Sequence, residues 1–182
     1  MAARLLMKSG HHQVAFVAGS HDTSTSLERE RGFREELKKH GLEPYIEMGN
    51  FSYHGAFDAA RRLMNLPKSP DAVFCANDIM AIGVLDALCH AEQKRVPEDV
   101  SVIGFDDIPM AAWPSYNLTT IRQPIERMID SAVNDLLDRI NQDNMAPKQE
   151  LVAGDLVVRS SAKLPSGLSS GWVISTSETR NV

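Results

Sequence analysis

Two short apolar runs flank a helix-length apolar segment, and this arrangement is the strongest hydrophobic pattern in the chain. The runs cover residues 72–76 and 100–105, and both are rich in β-branched and aromatic side chains. Runs of this length and composition predict strands that are buried on both faces. The segment over 79–88 is apolar nearly all round, which predicts a helix. The pattern therefore predicts a strand–helix–strand unit with a right-handed crossover.

Polar side chains follow both predicted strands directly. Asn77 and Asp78 come after the first strand, and Asp106 and Asp107 come after the second. Ligands in such sheets bind beyond the carboxyl ends of the strands, so these four side chains predict a polar binding rim. Asn77 is also expected to cap the following helix, because its side-chain oxygen can accept a hydrogen bond from the first turn.

The rest of the chain continues the alternation of helices and strands. The other predicted elements are a helix over 2–9, a strand over 14–17, a helix over 25–39, a strand over 44–47, helices over 52–64 and 124–141, and a strand over 151–158. Thr25 and Glu28 have the spacing of a capping box, which predicts where the second helix begins. After residue 162, Ser, Gly and Pro dominate, which predicts a loose tail in which residues 172–174 could dock.

Composition narrows the classes of function. The chain has 182 residues, of which 43% are hydrophobic and 24% charged, enough to bury a core in one or two domains. Its net charge of −5 comes without a basic cluster, so we expect it not to bind DNA by itself. No apolar run approaches the roughly 20 residues that span a bilayer, and the first residues do not resemble a secretory signal. We therefore expect a cytoplasmic protein without a membrane partner.

Motifs for catalysis and metal binding are missing from the sequence. The six histidines show no HExxH spacing, the serines no GxSxG elbow, and Gly19-Ser20 is not followed by the rest of a phosphate loop. Cys75 and Cys89 lie in apolar segments without CxxC spacing, so we expect small buried hydrophobic residues in a reducing compartment. We predict no enzymatic activity, no catalytic residue, no cofactor and no metal.

Three longer motifs resemble one known family. They are AND-x-MAIGV-x-x-AL at 76–88, VPEDVSVIGFDD at 96–107 and LTTIRQP at 118–124, preceded by GHHQVAFVAGS, RERGF and GNF. With these motifs the chain resembles the effector-binding core of the LacI/GalR family of bacterial transcription regulators. The resemblance implies an α/β fold with a doubly wound, mostly parallel sheet like that of periplasmic binding proteins. One departure is Gln93, where the family usually has a glycine that ends a helix.

The resemblance also implies a division of the chain. Residues 1–11 would end a first subdomain, 12–117 form a complete second subdomain, 118–150 cross over and add a first-subdomain helix, 151–162 return to the second, and 163–182 form the tail. Most of the first subdomain and the DNA-binding headpiece would then lie outside this chain. The helices over 2–9 and 124–141 are expected to lack their sheet, which would expose Ile125, Ile129, Leu136 and Ile140.

Three polar residues are the main candidates for ligand binding. Arg29 alone reads as a solvated helix charge, but the RxxGF match implies that it reaches into the effector cleft, where its fork of donors suits paired hydroxyls or a carboxylate. Asp106 alone reads as a turn former, and the GFDD match implies an effector contact that accepts hydrogen bonds from hydroxyls. Asn77 offers one acceptor and two donors, which is compatible with its capping role.

Three further residues complete the candidate set. A lone aromatic such as Phe51 usually belongs to a core, but the GNF match implies a ring that packs on the apolar face of the ligand. A flat ring suits both the C–H face of a sugar and the plane of a nucleobase. Gln123, in the crossing segment, and Thr23, in a polar loop, are weaker candidates.

Three functional hypotheses follow. The first is the ligand-sensing core of a LacI/GalR-type regulator, which binds a sugar or nucleobase-like effector and controls DNA binding through a helix-turn-helix headpiece outside this chain; the full-length protein would be a homodimer. The alternative is a periplasmic-type sugar receptor of a transporter, which shares the fold. A third is a dimerising fragment that interferes with a full-length partner, because the helix from Ile79 would leave apolar surface to spare.

Overall fold

A computed structural model describes residues 1–141, 152–167, 171 and 173–175, which form five α-helices and seven strands. The strands are β1 (Val14–Ala18), β2 (Tyr45–Met48), β3 (Ala72–Cys75), β4 (Ser101–Asp106), β5 (Thr119–Arg122), β6 (Asp155–Val157) and β7 (Val173–Ser175). The helices are α1 (Ala2–Lys8), α2 (Ser24–Lys38), α3 (Tyr53–Met64), α4 (Asp78–Asp86) and α5 (Ile125–Asn141). A π-helical turn over Ala87–Ala91 continues α4, and a short 3-10 turn covers Pro109–Ala112.

The strands form one sheet in the order β2-β1-β3-β4-β5-β6-β7. The first five strands in this order are parallel, and β6 and β7 pair antiparallel at one side. All five parallel strands therefore end at the same edge, which we call the carboxyl edge. The predicted fold class, a doubly wound and mostly parallel α/β sheet, is confirmed.

The last strands differ in part from the predicted ones. β6 is shorter than the strand predicted over 151–158, and Leu151 lies outside the described residues. Within the predicted tail, Val173–Ser175 pairs with β6, so this part of the chain docks on the sheet. Trp172, residues 168–170 and 176–182 lie outside the described part of the chain, as do residues 142–150 of the predicted crossing.

The core lies on both faces of the central strands. Every residue of β1 and β3 is buried, as continuous apolar runs predict. Phe16, Phe33 and Phe74 form a triangle of tilted rings with centroids 5.1 to 5.8 Å apart. Seven of the nine residues of α4 are buried, so the argument that this helix leaves apolar surface to spare is wrong.

α1 contradicts one expectation drawn from the resemblance. This helix was expected to lack a sheet, but it packs against α2 and β3. Its buried residues are Ala2, Ala3, Leu5 and Leu6. The expectation failed because the apolar side of α1 is covered by α2 and β3. The boundary at residue 11 stays a prediction.

α5 confirms the companion expectation. None of its seventeen residues is buried by the described part of the chain. Ile125, Ile129, Leu136 and Ile140 are 58%, 56%, 58% and 71% exposed. An apolar stripe of this length normally faces a core. The described residues provide no such core for α5.

Two helix ends were tested by backbone geometry. The predicted capping box is wrong, because α2 begins at Ser24 with Thr23 as its N-cap residue. The Thr23 hydroxyl does not cap the helix and donates instead to the carbonyl oxygen of Ser20 at 3.0 Å. After the π-helical turn, Gln93 has a φ of +52°, so it takes the left-handed conformation that glycine adopts more easily.

Candidate ligand-binding site

The predicted site residues lie along the carboxyl edge of the sheet. Phe51 follows β2, Asn77 follows β3, Asp106 ends β4 and Gln123 follows β5. Arg29 approaches the same edge from the first half of α2. The parallel order of the strands brings these residues together because each strand delivers its last residues to one side.

Arg29 is the centre of the cluster. Its Nη1 donates a hydrogen bond of 2.6 Å to the carbonyl oxygen of Ala76, and its Nη2 lies 3.6 Å from Oδ1 of Asp106. The guanidinium also stacks 3.8 Å from the centroid of the Phe105 ring, a cation–π contact. Burial lowers the pKa of Arg29, and the charges of Asp106 and Asp78 oppose that shift. These contacts therefore fix the Arg29 side chain in place, and its positive charge is partly buried.

Asp106 links the sheet edge to the crossing segment. Its Oδ1 accepts a hydrogen bond of 2.6 Å from Nε2 of Gln123. Burial raises the pKa of Asp106, while the hydrogen bond from Gln123 and the charge of Arg29 act in the opposite direction. Arg29, Asp106 and Gln123 thus form one connected group, in which donors and a carboxylate meet at the edge.

Asn77 borders this group through its neighbour in sequence. Its side-chain oxygen accepts a hydrogen bond of 3.0 Å from the backbone N–H of Met80, so the predicted cap of α4 is confirmed. The preceding carbonyl, that of Ala76, receives the hydrogen bond from Arg29. This hydrogen bond uses one lone pair of the Asn77 oxygen, and the second lone pair and the amide N–H groups remain as its other polar groups.

Phe51 and Thr23 lie apart from the connected group. The Phe51 ring packs directly over Gly19, where a Cβ would collide with it, and Phe51 itself has a φ of +53°. The hydroxyl of Thr23 is engaged with Ser20. Among the described residues, no hydrogen bond or ring contact joins either of them to Arg29, Asp106 or Asn77.

Two of the four predicted rim residues are acids whose carboxylates are paired with other groups of the protein. Asp107 has a side chain only 7% exposed and makes ion pairs of 2.7 Å with both Arg122 and Arg159. Asp78 is fully buried, and its two carboxylate oxygens accept hydrogen bonds from Thr120 and from the backbone N–H of Ile108. The prediction that Asp78 lines the rim is wrong, because its buried carboxylate is used by protein donors. Asp107, although paired with two arginines, still lines a cavity together with Asp106.

Open space adjoins the cluster on the side of the crossing segment. A cavity of about 520 Å³ is lined by Asp106, Gln123, Arg127 and Asp155, among others. Its volume falls within the range of small-molecule sites. The described residues contain no group of three or more His, Cys, Asp or Glu side chains that could hold a metal ion. None of the described helices is both long and apolar enough to cross a membrane.

The fold and the edge cluster define a ligand-binding α/β domain of the periplasmic-binding-protein type. The profile of the periplasmic binding protein-like domain family matches residues 3–162. The chain therefore belongs to this family, and the relatives it matches are LacI-type transcription regulators. The resemblance found in the sequence motifs is confirmed.

Relatives of known function are transcription regulators. The chain is 38% identical over 165 residues to the ribose operon repressor of Escherichia coli K12, which covers 89% of this chain and 50% of that protein. It is 33% identical over 165 residues to the probable repressor ExuR of Bacillus subtilis, covering 89% and 49%. The chain thus spans about half the length of the curated relatives it matches.

Two solved structures of transcription regulators share the fold of this chain. The transcriptional regulator CelR in complex with cellobiose superposes with a TM-score of 0.80 at 35% identity, covering 88% of this chain and 49% of CelR. The Lac repressor bound to ONPG gives a TM-score of 0.81 at 28% identity, with the same two shares.

Proposed function

We propose that this chain is the effector-sensing core of a LacI-type transcription regulator, with the carboxyl edge as one wall of the effector cleft. The connected group of Arg29, Asp106 and Gln123 carries the proposal. Asp106 and Gln123 line a cavity of about 520 Å³, and Arg29 lies 3.6 Å from the Asp106 carboxylate. Such a group can exchange its internal hydrogen bonds for those of a ligand without leaving a buried charge unpaired.

The ligand class is a small polyhydroxylated or heterocyclic molecule. Vicinal hydroxyls suit a carboxylate acceptor next to a guanidinium donor, which is the arrangement of Asp106 and Arg29. The Phe51 ring would cover the apolar face of the ligand, with Asn77 and Thr23 as further polar contacts. Cellobiose in the CelR complex supports a sugar, and a nucleobase-like effector remains the second candidate.

Effector binding would act on DNA through a helix-turn-helix headpiece, as the family resemblance implies. A ligand that binds one relative orientation of the two subdomains more tightly shifts the population toward it. Such a role would place the protein in the cytoplasm, as a homodimer in its full-length form and without enzymatic activity. The relatives found are regulators, which does not favour the alternative of a transporter receptor.

Binding is tested by NMR on the isotopically labelled chain, with D-ribose, cellobiose and adenine as probes. One probe should shift the side-chain N–H signals of Arg29 and Gln123, with weak, millimolar-range affinity because only one wall is present. Arg29→Ala should abolish the response. Arg31→Ala, an exposed arginine on the same helix, is the matched control. Micromolar affinity for a sugar would contradict the need for a second wall.

Regulation is tested in a chimera. The 165 matched residues of the chain replace the corresponding half of the ribose operon repressor, and operator binding is measured with and without each probe. We expect DNA binding that responds to one probe, and loss of that response in the Asp106→Ala chimera. A chimera that binds the operator but ignores every probe, with or without the substitution, would overturn the proposed function.

A further inference from the structure

Asp78 bridges three elements from a buried position. It is the first residue of α4 and is 0% exposed. Its Oδ1 accepts a hydrogen bond of 2.5 Å from the Thr120 hydroxyl on β5, and its Oδ2 accepts one of 2.9 Å from the backbone N–H of Ile108. Both carboxylate oxygens are therefore used by protein donors, and neither is available to a ligand.

The bridge passes across β4, and Gly104 makes room for it. A Cβ at Gly104 would collide with Oδ1 of Asp78. β4 lies between β3 and β5 in the sheet, so the Asp78 carboxylate crosses this strand to reach Thr120. A side chain at Gly104 would close the passage.

The segment that Asp78 holds is the one that carries Asp106. Asp106 and Asp107 have φ values of +118° and +58°, which are unfavourable for residues with a Cβ. Such backbone persists only where neighbouring contacts fix it. Ion pairs to Arg122 and Arg159 fix Asp107, and the next residue, Ile108, is fixed by Asp78.

We propose that Asp78 is a positioning residue of the carboxyl edge, which holds the segment 106–108 so that the Asp106 carboxylate meets Arg29 and Gln123. That this positioning serves ligand binding rests on the proposed function. The positioning itself can be tested without a ligand. Asp78 acts through the backbone at Ile108 and contacts no effector. Its partner Thr120 is a positioning residue of the same bridge.

The charges that face Asp78 set its response to pH. The pKa of Asp78 is raised to about 6, chiefly by burial and also by the carboxylates of Asp106 and Asp107, against the hydrogen bonds from Thr120 and Ile108, which lower it. The other ionisable groups that interact with it are Arg29 on α2 and Cys75 on β3. Protonation below about pH 6 should therefore weaken the bridge before ordinary carboxylates titrate.

The test is a ligand-free NMR titration between pH 7.5 and pH 4.5. The amide of Ile108 should shift with a midpoint near 6, in the wild type and also in Asp106→Asn. Asp78→Asn should remove this step and, at pH 7.5, move the side-chain amide signal of Gln123. Thr120→Val should raise the midpoint, because it removes a hydrogen bond to the charged form.

Ser101→Ala is the matched control, since Ser101 is buried at the other end of β4 and its hydroxyl accepts a hydrogen bond from Lys163. It should leave the Ile108 titration and the Gln123 signal unchanged. An unchanged Gln123 signal in folded Asp78→Asn would overturn the proposal, as would an Ile108 midpoint that disappears in Asp106→Asn. Absence of binding by every probe, with these signals as expected, would count against the proposed function alone.

Discussion

Two helices with many apolar residues, α4 and α5, have opposite surroundings. In α4, seven of nine residues are buried, among them Met80 and Val84, which are fully inaccessible. In α5, none of seventeen residues is buried within the described part of the chain. Seven of its apolar side chains, from Ile125 to Ile140, are between 43% and 71% exposed.

The difference lies in the pattern of each helix. α4 is apolar on every side, so it needs cover all round and has it from β4, α3 and the turn that follows it. α5 has a single apolar stripe, which fits one surface, and the described residues supply none. Within the described residues, α4 is fully surrounded and α5 is not.

Truncation of a core side chain should separate the two helices most clearly. Met80→Ala in α4 should destabilise the fold by about 2–5 kcal/mol, because it removes a fully buried side chain and leaves a cavity. Leu136→Ala in α5 should change the free energy of unfolding by less than about 0.5 kcal/mol, because that side chain is already exposed. Urea denaturation followed by circular dichroism measures both. Equal losses would mean that α5 is covered in solution.

The buried charge at the start of α4 should make stability depend on pH. Burial raises the pKa of Asp78 to about 6, so the folded protein binds this proton more tightly than the unfolded chain, whose aspartates titrate near about 3.9. The stabilisation is therefore complete below that value and is lost as pH rises through 6. The full loss should be on the order of 3 kcal/mol.

The measurement is the difference in unfolding free energy between wild type and Asp78→Asn at pH 4.5, 5.5, 6.5 and 7.5. Taking the difference removes the contributions of the other carboxylates. Asp130→Asn, on exposed α5, is the control and should run parallel to the wild type. A difference between wild type and Asp78→Asn that stays constant with pH would show that Asp78 does not titrate in this window.

The exposed stripe of α5 should make the chain associate. Apolar patches of this kind favour contact with other surfaces, so we expect sedimentation velocity to show association that grows with protein concentration. Replacing Ile129 and Leu136 by Glu should weaken it about tenfold or more. Leu27→Glu, on exposed α2, is the matched control. A monomer at every concentration would mean that another part of the chain covers the stripe.

Local sequence patterns predicted the structural features that depend on a few neighbouring residues, such as strand positions and a helix cap. The apolar runs located β3 and β4, and the cap at Asn77 followed from its place at a strand end. The start of α2 was missed because residues 23–26 are all Thr or Ser, and the spacing to Glu28 favoured Thr25 over Thr23. Burial of α1 was missed because the resemblance assigned that helix to the other subdomain.

Contacts between distant segments could not be predicted in this way. The strand order alone brings Arg29 to Asp106, and only the family motifs pointed to both. The burial of Asp78 depends on Thr120, and the ion pairs of Asp107 depend on Arg122 and Arg159. A local sequence pattern cannot predict which of two adjacent acids faces a donor on another strand. The edge was therefore predictable as a polar rim, but not its division into exposed and buried carboxylates.

The smallest expected effect tests how the segment after α4 ends. Gln93 has a φ of +52°, a conformation that glycine adopts without the clash of a Cβ. Gln93→Gly should therefore stabilise the protein, by about 0.5–1 kcal/mol after the added flexibility of the unfolded chain is included. Gln123→Gly is not a suitable control, because it also removes a contact to Asp106. Glu92→Gly is the suitable control, because the backbone of Glu92 is right-handed and the same change should destabilise the protein. The thermal unfolding temperatures of Gln93→Gly and Glu92→Gly should therefore shift in opposite directions. A loss of stability in Gln93→Gly would mean that side-chain contacts of Gln93 outweigh its backbone strain.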